Sequence, residues 1–350
     1  MVDTDALRTW ARVSLFVSAA AGCGGEGGSE NGGTRGTSST GGSADASTSG
    51  LDTSGGVETT ASGSTAEPDG STGGSTDTGG SSSGDDGAGL VEARPYELIV
   101  PDDYDPGTPL PLVLTLHGYG ATGPLQSVYF RFTQDAQTRG YLVATPNGLL
   151  DSGGSRFWNA TDACCDFDGQ GVDDVAYLDA VLDDVIANYS VALDQIYVVG
   201  HSNGGFMAHR LACEIGDRIA AIVSLAGATW SEPDACAADS PVHVLQIHGT
   251  DDDTIAYDGG STGAASYPSA PQTVESWATK NGCRGGLENA GVLDLEASID
   301  GEETTVAVYA GCPVGGDVQL WTIEGGAHIP TLADDWVDPL WAYLDAHPKP

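Results

Sequence analysis

Tyr197-Val198-Val199 runs straight into Gly200-His201-Ser202-Asn203-Gly204, and an Ala- and Leu-bearing amphipathic stretch follows at once. An apolar run that ends in a glycine-flanked turn and re-emerges as a helix has few ways to fold. The backbone must leave a strand, turn sharply with the serine in a strained conformation, and start a helix. Glycines stand on both sides because side chains there would collide with neighbouring backbone.

Such a unit belongs in a sheet whose strands are joined by crossover helices, and the rest of the chain carries the matching pattern. Short apolar runs at 96–100, 112–117, 142–145, 195–200, 221–225, 242–248 and 318–323 predict strands. Amphipathic stretches near 127–139, 173–189, 204–214, 271–281 and 336–346 predict helices. The second of these opens on the acidic N-cap Asp173 and carries Val175, Leu178, Val181, Leu182 and Val185 on one face. A mostly parallel sheet with helices on both faces is the expected α/β fold, in one domain spanning 91–350.

Composition separates that domain from what precedes it. Residues 24–89 are almost entirely Gly, Ser, Thr, Asp and Ala, without an aromatic side chain. They cannot bury enough surface to offset chain entropy, so 23–90 reads as a disordered tether with a reach of ~45 Å. Ahead of it, an apolar run at 13–21 follows Arg8 and Arg12 and ends in Ala20-Ala21-Gly22-Cys23. The run is too short to span a bilayer and fits a signal peptide over 1–22. Its end resembles a bacterial lipobox, which makes Cys23 a lipidation candidate. The expected location is outside the cytoplasm, as a cell-surface (outer-membrane) lipoprotein or an extracellular protein, with the lipid anchor its one membrane contact.

The formal net charge of -38 repels phosphate backbones and anionic head groups, which argues against nucleic acid as a partner. Beyond Cys23 there are six cysteines, Cys164, Cys165, Cys213, Cys236, Cys283 and Cys312. An even count in an exported chain reads as three disulfides. Cys283 and Cys312 flank one strand region and are expected to pair; the other four are expected to make two bridges, with the adjacent Cys164 and Cys165 going to different partners. No metal-ligand spacing is present, and Asp166, Asp168 and Asp173 lack the ligand order of a calcium loop, so no metal or cofactor is expected.

A serine hydroxyl is a poor nucleophile near neutral pH, so Ser202 needs a base to take its proton and an acid to orient that base. Downstream, a strand empties into His248-Gly249-Thr250-Asp251-Asp252-Asp253, and a later one into Gly325-Gly326-Ala327-His328. Both lie where open α/β sheets build their sites, at carboxyl ends of strands. Of the seven histidines, His328 alone stands in the right order on a glycine-lined loop; spacing leaves Asp251, Asp252 and Asp253 open as the acid. The oxyanion of an acyl transfer needs aimed N–H donors. Asn203, just after the serine, and Tyr119, in Leu116-His117-Gly118-Tyr119-Gly120, are the candidates. Trp158 and His201 are the candidate substrate contacts.

These residues resemble the polyhydroxybutyrate-depolymerase-like esterases, a group that includes feruloyl and acetylxylan esterases of the first carbohydrate-esterase family, on the α/β-hydrolase fold. The likeness covers about 96–344. It rests on Leu116-His117-Gly118, Trp158-Asn159-Ala160, Cys164-Cys165, Gly171-Val172-Asp173-Asp174-Val175, Gly200-His201-Ser202-Asn203-Gly204-Gly205, His248-Gly249-Thr250 with Asp252, and Gly325-Gly326-Ala327-His328. It implies Asp252, four residues after His248, as the acid, and structural disulfides at the paired cysteines and Cys213. The implied activity is hydrolysis of a polysaccharide-linked or polyester-type ester; a monomer is expected. Two departures stand out: Ala327 where the group often has a third glycine, and Ile329-Pro330 where it often has Trp-Pro. A peptidase or lipase of the same fold, or an inactive surface-tethered binding protein, are the competing readings.

Overall fold

A computed structural model of the chain describes residues 85–350 apart from Ala264. The expected signal peptide, the lipidation candidate Cys23 and nearly all of the tether lie outside the described residues.

In chain order the elements are α1 (Asp85–Ala93), β1 (Glu97–Ile99), β2 (Leu110–Leu116), α2 (Gly123–Tyr129), α3 (Phe132–Arg139), β3 (Leu142–Thr145), β4 (Leu149–Leu150), β5 (Arg156–Phe157), α4 (Asp174–Asn188) and β6 (Val191–His201). There follow α5 (Asn203–Glu214), β7 (Ala221–Leu225), β8 (His243–Gly249), β9 (Gly260–Ser261), β10 (Ser266–Tyr267), α6 (Ala270–Asn281), β11 (Leu287–Leu293), β12 (Thr304–Tyr309), β13 (Val318–Ile323) and α7 (Val337–Ala346).

Nine strands form one sheet in the order β1-β3-β2-β6-β7-β8-β13-β12-β11. The run from β3 to β13 is parallel. β1 at one edge and β12–β11 at the other are antiparallel. The chain winds from β2 to β3 in one direction and then crosses back to β6, so the strand order reverses between β2 and β6. Open α/β sheets place their binding crevice at such a switch point, above the carboxyl ends of the strands.

The central strands are apolar throughout because both faces are covered. Their side chains still divide with period two: Leu112, Leu114, Val198, Ile222 and Val244 join one buried cluster, while Val113, Tyr197, Val199, Val223 and Leu245 join the other. Polar residues on these strands, Gln246 and His248 among them, are therefore buried too and need internal partners.

Four expectations change. The helix expected near 127–139 is two helices, broken where Arg131 takes a left-handed φ of 63°. Residues 85–90, expected to belong to the tether, lie instead in α1, which begins at Asp85 and packs Leu90 and Val91 against the core. The region between Cys283 and Cys312 holds an edge hairpin, β11–β12, rather than one strand. Cys164 and Cys165 bond to each other instead of to separate partners. Cys213, in the last turn of α5, is claimed by Cys236 at a Cα separation of 5.3 Å, and Cys283 pairs with Cys312 as expected.

Arg94, just past α1, ties this entry segment to the domain. Its guanidinium donates to the fully buried Asp174 at 2.8 Å and to the Asn147 carbonyl at 3.0 Å, and it lies 3.8 Å from the Tyr177 ring centroid. Burial raises the Asp174 carboxyl while Arg94 pulls it back down. Arg94→Ala strands that carboxylate, and a destabilisation of about 3 kcal/mol is expected in urea unfolding. A loss below 1 kcal/mol would mean that the pair contributes no more than a surface bridge.

Candidate active site

Ser202 sits between the end of β6 and the start of α5 with φ 53° and ψ −120°, a conformation that side-chain-bearing residues rarely adopt. Its N–H is held by the Leu225 carbonyl at 2.8 Å, and its own carbonyl accepts from Phe206 N at 3.0 Å. A Cβ on Gly200 would collide with the Gly204 carbonyl, and one on Gly204 with the Leu116 and His117 carbonyls. The turn therefore closes only with glycine at both places. Gly204→Ala is expected to push α5 off β2 and destabilise the fold by about 2 kcal/mol or more, read as a lowered Tm. An unchanged Tm would show that the backbone there yields freely.

Three side chains far apart in sequence converge on this turn. His328 Nε2 lies 2.9 Å from Ser202 Oγ, and His328 Nδ1 lies 2.8 Å from Asp252 Oδ2. Asp252 is buried, whereas Asp251 and Asp253 point to solvent. Its Oδ1 accepts from the Thr254 and Ile255 N–H groups at 2.9 and 2.8 Å. Burial by itself raises the Asp252 carboxyl, but hydrogen bonds from His248 and His328 outweigh it and hold the group well below the usual carboxylate range. The acid is thus ionised and fixed, and it dictates that His328 carries its proton on Nδ1. Nε2 is left as an acceptor facing the serine hydroxyl.

The loop after β2 supplies N–H donors at the same rim. Gly118 N donates to Gln126 Oε1 at 3.2 Å, Gly120 N to the Arg156 carbonyl at 2.8 Å and Ala121 N to the Gly118 carbonyl at 3.0 Å. Tyr119 N–H has no partner among the described residues. Asn203 N–H, the first of α5, has none either, as expected for the opening turn of a helix. Its side chain is engaged elsewhere, with Oδ1 accepting from Trp158 N at 2.7 Å and Nδ2 donating to the Trp158 carbonyl at 2.9 Å. The Tyr119 hydroxyl is bonded to Asp151, and its ring meets Phe167 edge-on at 5.6 Å.

Trp158 and His201, the candidate substrate contacts, are buried, at 0% and 2% exposure. Trp158 donates its indole N–H to the His117 carbonyl at 3.0 Å and stacks on Tyr177, so it braces the β2 loop and Asn203 from below. His201 donates from Nε2 to the His328 carbonyl at 2.9 Å. Burial, and then the neighbouring His328, push the His201 imidazole down to about 3, so it remains neutral and anchors the His328 loop. Asp174, a motif residue with no role assigned from sequence, holds Asn159 N at 2.7 Å beside Arg94. Its place after an acidic N-cap at the head of a predicted helix was the one available signal.

The acidic loop uses its carboxylates on backbone. Asp166 accepts from Gln170 and Gly171 N–H, Asp168 from Ser152, and Asp173 caps α4 through Ala176 N at 3.0 Å. Among the described residues no group of three or more His, Cys, Asp or Glu could hold a metal ion, and no helix is long and apolar enough to cross a membrane.

Comparison with known proteins bears on the same region. A family model described as "alpha/beta hydrolase fold" matches residues 111–273, which takes in β2, the serine turn and Asp252. A putative esterase, NocK, from Nocardia uniformis subsp. tsuyamanensis is 30% identical over 242 residues, covering 64% of this chain and 67% of the relative. A probable feruloyl esterase C from Aspergillus niger is 28% identical over 204 residues, covering 57% of this chain and 66% of the relative. The chain thus spans about two thirds of the length of these relatives. An acetyl xylan esterase structure from Aspergillus awamori superposes with a TM-score of 0.51 at 14% identity, over 71% of this chain and 93% of that one, which speaks to the fold. With the sheet order, the strained serine turn and these relatives in agreement, the chain belongs to the α/β-hydrolase family, as a carboxylic ester hydrolase.

Proposed function

We propose that this protein is an exported serine esterase in which Ser202 is the nucleophile, His328 its general base and Asp252 the acid that orients the base. The observation that carries the reading is the unbroken contact from Ser202 Oγ to His328 Nε2 at 2.9 Å and from His328 Nδ1 to Asp252 Oδ2 at 2.8 Å, built on a backbone strained at the serine.

In the first half-reaction Ser202 Oγ adds to the ester carbonyl carbon while its proton passes to His328 Nε2. The carbonyl π electrons move to the oxygen, which accepts hydrogen bonds from Asn203 N–H and Tyr119 N–H, with the N-terminal dipole of α5 adding to the field. Asp252 stabilises the imidazolium. Collapse of the adduct breaks the bond to the alcohol oxygen, and His328 returns the proton to that oxygen. Water then repeats the sequence on the acyl-enzyme, activated by the same imidazole, and releases the carboxylic acid. No metal or cofactor is needed for any step.

The substrate class proposed is an acyl ester on plant polysaccharide, with a hydroxyalkanoate polyester second. The relative named a probable feruloyl esterase supports the first. Export, with an acyl anchor at Cys23, fits a polymeric substrate that cannot enter a cell. The test is turnover of methyl ferulate, acetylated xylan, emulsified polyhydroxybutyrate and p-nitrophenyl acetate side by side. Release of ferulate or acetate from the first two, with the polyester untouched, is expected. Turnover of p-nitrophenyl acetate alone would overturn the substrate class and leave the chemistry; no turnover of any ester would overturn both.

A further inference from the structure

From Asp252 a file of buried polar side chains runs into the core. His248 Nε2 lies 3.2 Å from Asp252 Oδ2 and 2.7 Å from the Ile255 carbonyl. Gln246 Nε2 lies 3.1 Å from His248 Nδ1 and 2.8 Å from the Gly227 carbonyl. His209 Nε2 lies 3.0 Å from Gln246 Oε1, and Trp277 Nε1 lies 2.9 Å from His209 Nδ1. Trp277, His209, Gln246 and His248 are all buried to within 1%. They come from α6, α5 and β8, so the file stitches two helices to the strand that carries the acid.

The proton positions along this file follow from its ends. Trp277 has only a donor to offer, so His209 Nδ1 is an acceptor and its proton is on Nε2. The Gly227 carbonyl can only accept, which fixes the Gln246 amide with its nitrogen toward Gly227 and His248 and its oxygen toward His209. The second amide hydrogen then meets His248 Nδ1, which must present a lone pair. His248 therefore carries its one proton on Nε2, shared between the Ile255 carbonyl and Asp252. An imidazolium at His248 would set N–H against N–H at Gln246. Burial also pushes His209 down to about 4, so no positive charge enters from that side.

We propose that Trp277, His209, Gln246 and His248 act as positioning residues for ester hydrolysis, as a directional hydrogen-bond chain that supplies Asp252 with a second, neutral donor. The inference rests on the triad reading above and deepens it. With a neutral donor on one side, the Asp252 carboxylate is held in place yet keeps its charge for the imidazolium that forms on His328. A bare carboxylate would bind that imidazolium too tightly and trap it; a carboxylate already paired with a second imidazolium would bind it too weakly and lower the basicity toward the serine.

The two failures have opposite signs, and the test uses that. Other titratable groups around Asp252 do not interfere: burial raises Tyr257 and Tyr267 and holds His201 at about 3. The pH profile of kcat/KM for p-nitrophenyl acetate is measured on the full chain. His248→Leu removes the donor, so the acid limb is expected to move up by roughly one pH unit and kcat to fall ~10-fold. His248→Gln, whose amide nitrogen reaches toward the Nε2 position, restores most of both. Gln246→Glu presents a carboxylate that accepts hydrogen bonds from both neighbouring imidazoles, favours His248 as an imidazolium, and moves the acid limb down. Acid limbs unmoved in His248→Leu and Gln246→Glu, with Ser202→Ala inactive, would overturn the proposal and leave the triad standing. Should Gln246→Glu not fold, the Leu and Gln variants at His248 decide alone. Full activity in Ser202→Ala would instead sink the triad reading itself.

Discussion

Ser202→Ala is expected to lower kcat for any ester substrate by about a million-fold while KM changes little. The size follows from the division of labour at the site. In the proposed mechanism, removal of the hydroxyl abolishes the acyl-enzyme and leaves the N–H groups of Tyr119 and Asn203 to polarise a carbonyl that only water can attack. In the proposed mechanism Ser202 and His328 work as one unit, so Ser202→Ala/His328→Ala should be no slower than either single variant. A double variant slower by the product of the two single losses would mean that the residues act independently. Ser202 is small, and the strain at its φ of 53° is a property of the turn, so the variant should fold.

Asp252→Asn is expected to cost about 10⁴-fold in kcat with the backbone unchanged, and the surroundings of the side chain say why. Oδ1 already accepts from Thr254 N and Ile255 N. The asparagine must keep its carbonyl oxygen there, which forces its NH₂ into the position of Oδ2. That amide would face His328 Nδ1 and His248 Nε2 as a donor. His328 would respond by carrying its proton on Nε2, the atom that has to receive the proton of Ser202. Binding of substrate should survive, so the loss should appear in kcat rather than KM. A fall in KM-dependent affinity with kcat preserved would show that Asp252 shapes the pocket instead of the tautomer.

Much of the fold and the convergence of these residues could be read from local pattern. The serine turn is legible because its constraints are local: a strand, two glycines and a helix within a dozen residues. The parallel strands were legible because apolar runs buried on both faces leave little room for polar residues. Asp252 was not separable from Asp251 and Asp253 by spacing, since what distinguishes them is which one turns inward, a property of the loop from Gly249 to Ile255. The same limit hid the pairing of Cys164 with Cys165, which depends on where Cys213 and Cys236 come to rest. The hairpin β11–β12 lies at an exposed sheet edge, where Leu287–Leu293 has little need of alternation, and its sequence gave little sign of it. Trp158 stands beside the motifs in sequence, but nothing local shows that its indole turns into the core to bond the His117 carbonyl. Gln246 and His248 looked like ordinary strand residues for a related reason. A buried polar side chain announces itself only when its partners are known, and here the partners lie on three separate elements.

An activated nucleophile reacts with phosphonyl electrophiles that ordinary serines ignore, and the proposed role of His328 makes Ser202 such a nucleophile. Treating the folded chain with a fluorophosphonate and mapping the adduct by mass spectrometry tests this most directly. One equivalent on the peptide containing Ser202 is expected, abolished in Ser202→Ala and slowed by several orders of magnitude in His328→Ala. Labelling at another residue, or equal labelling of wild type and Ser202→Ala, would contradict it.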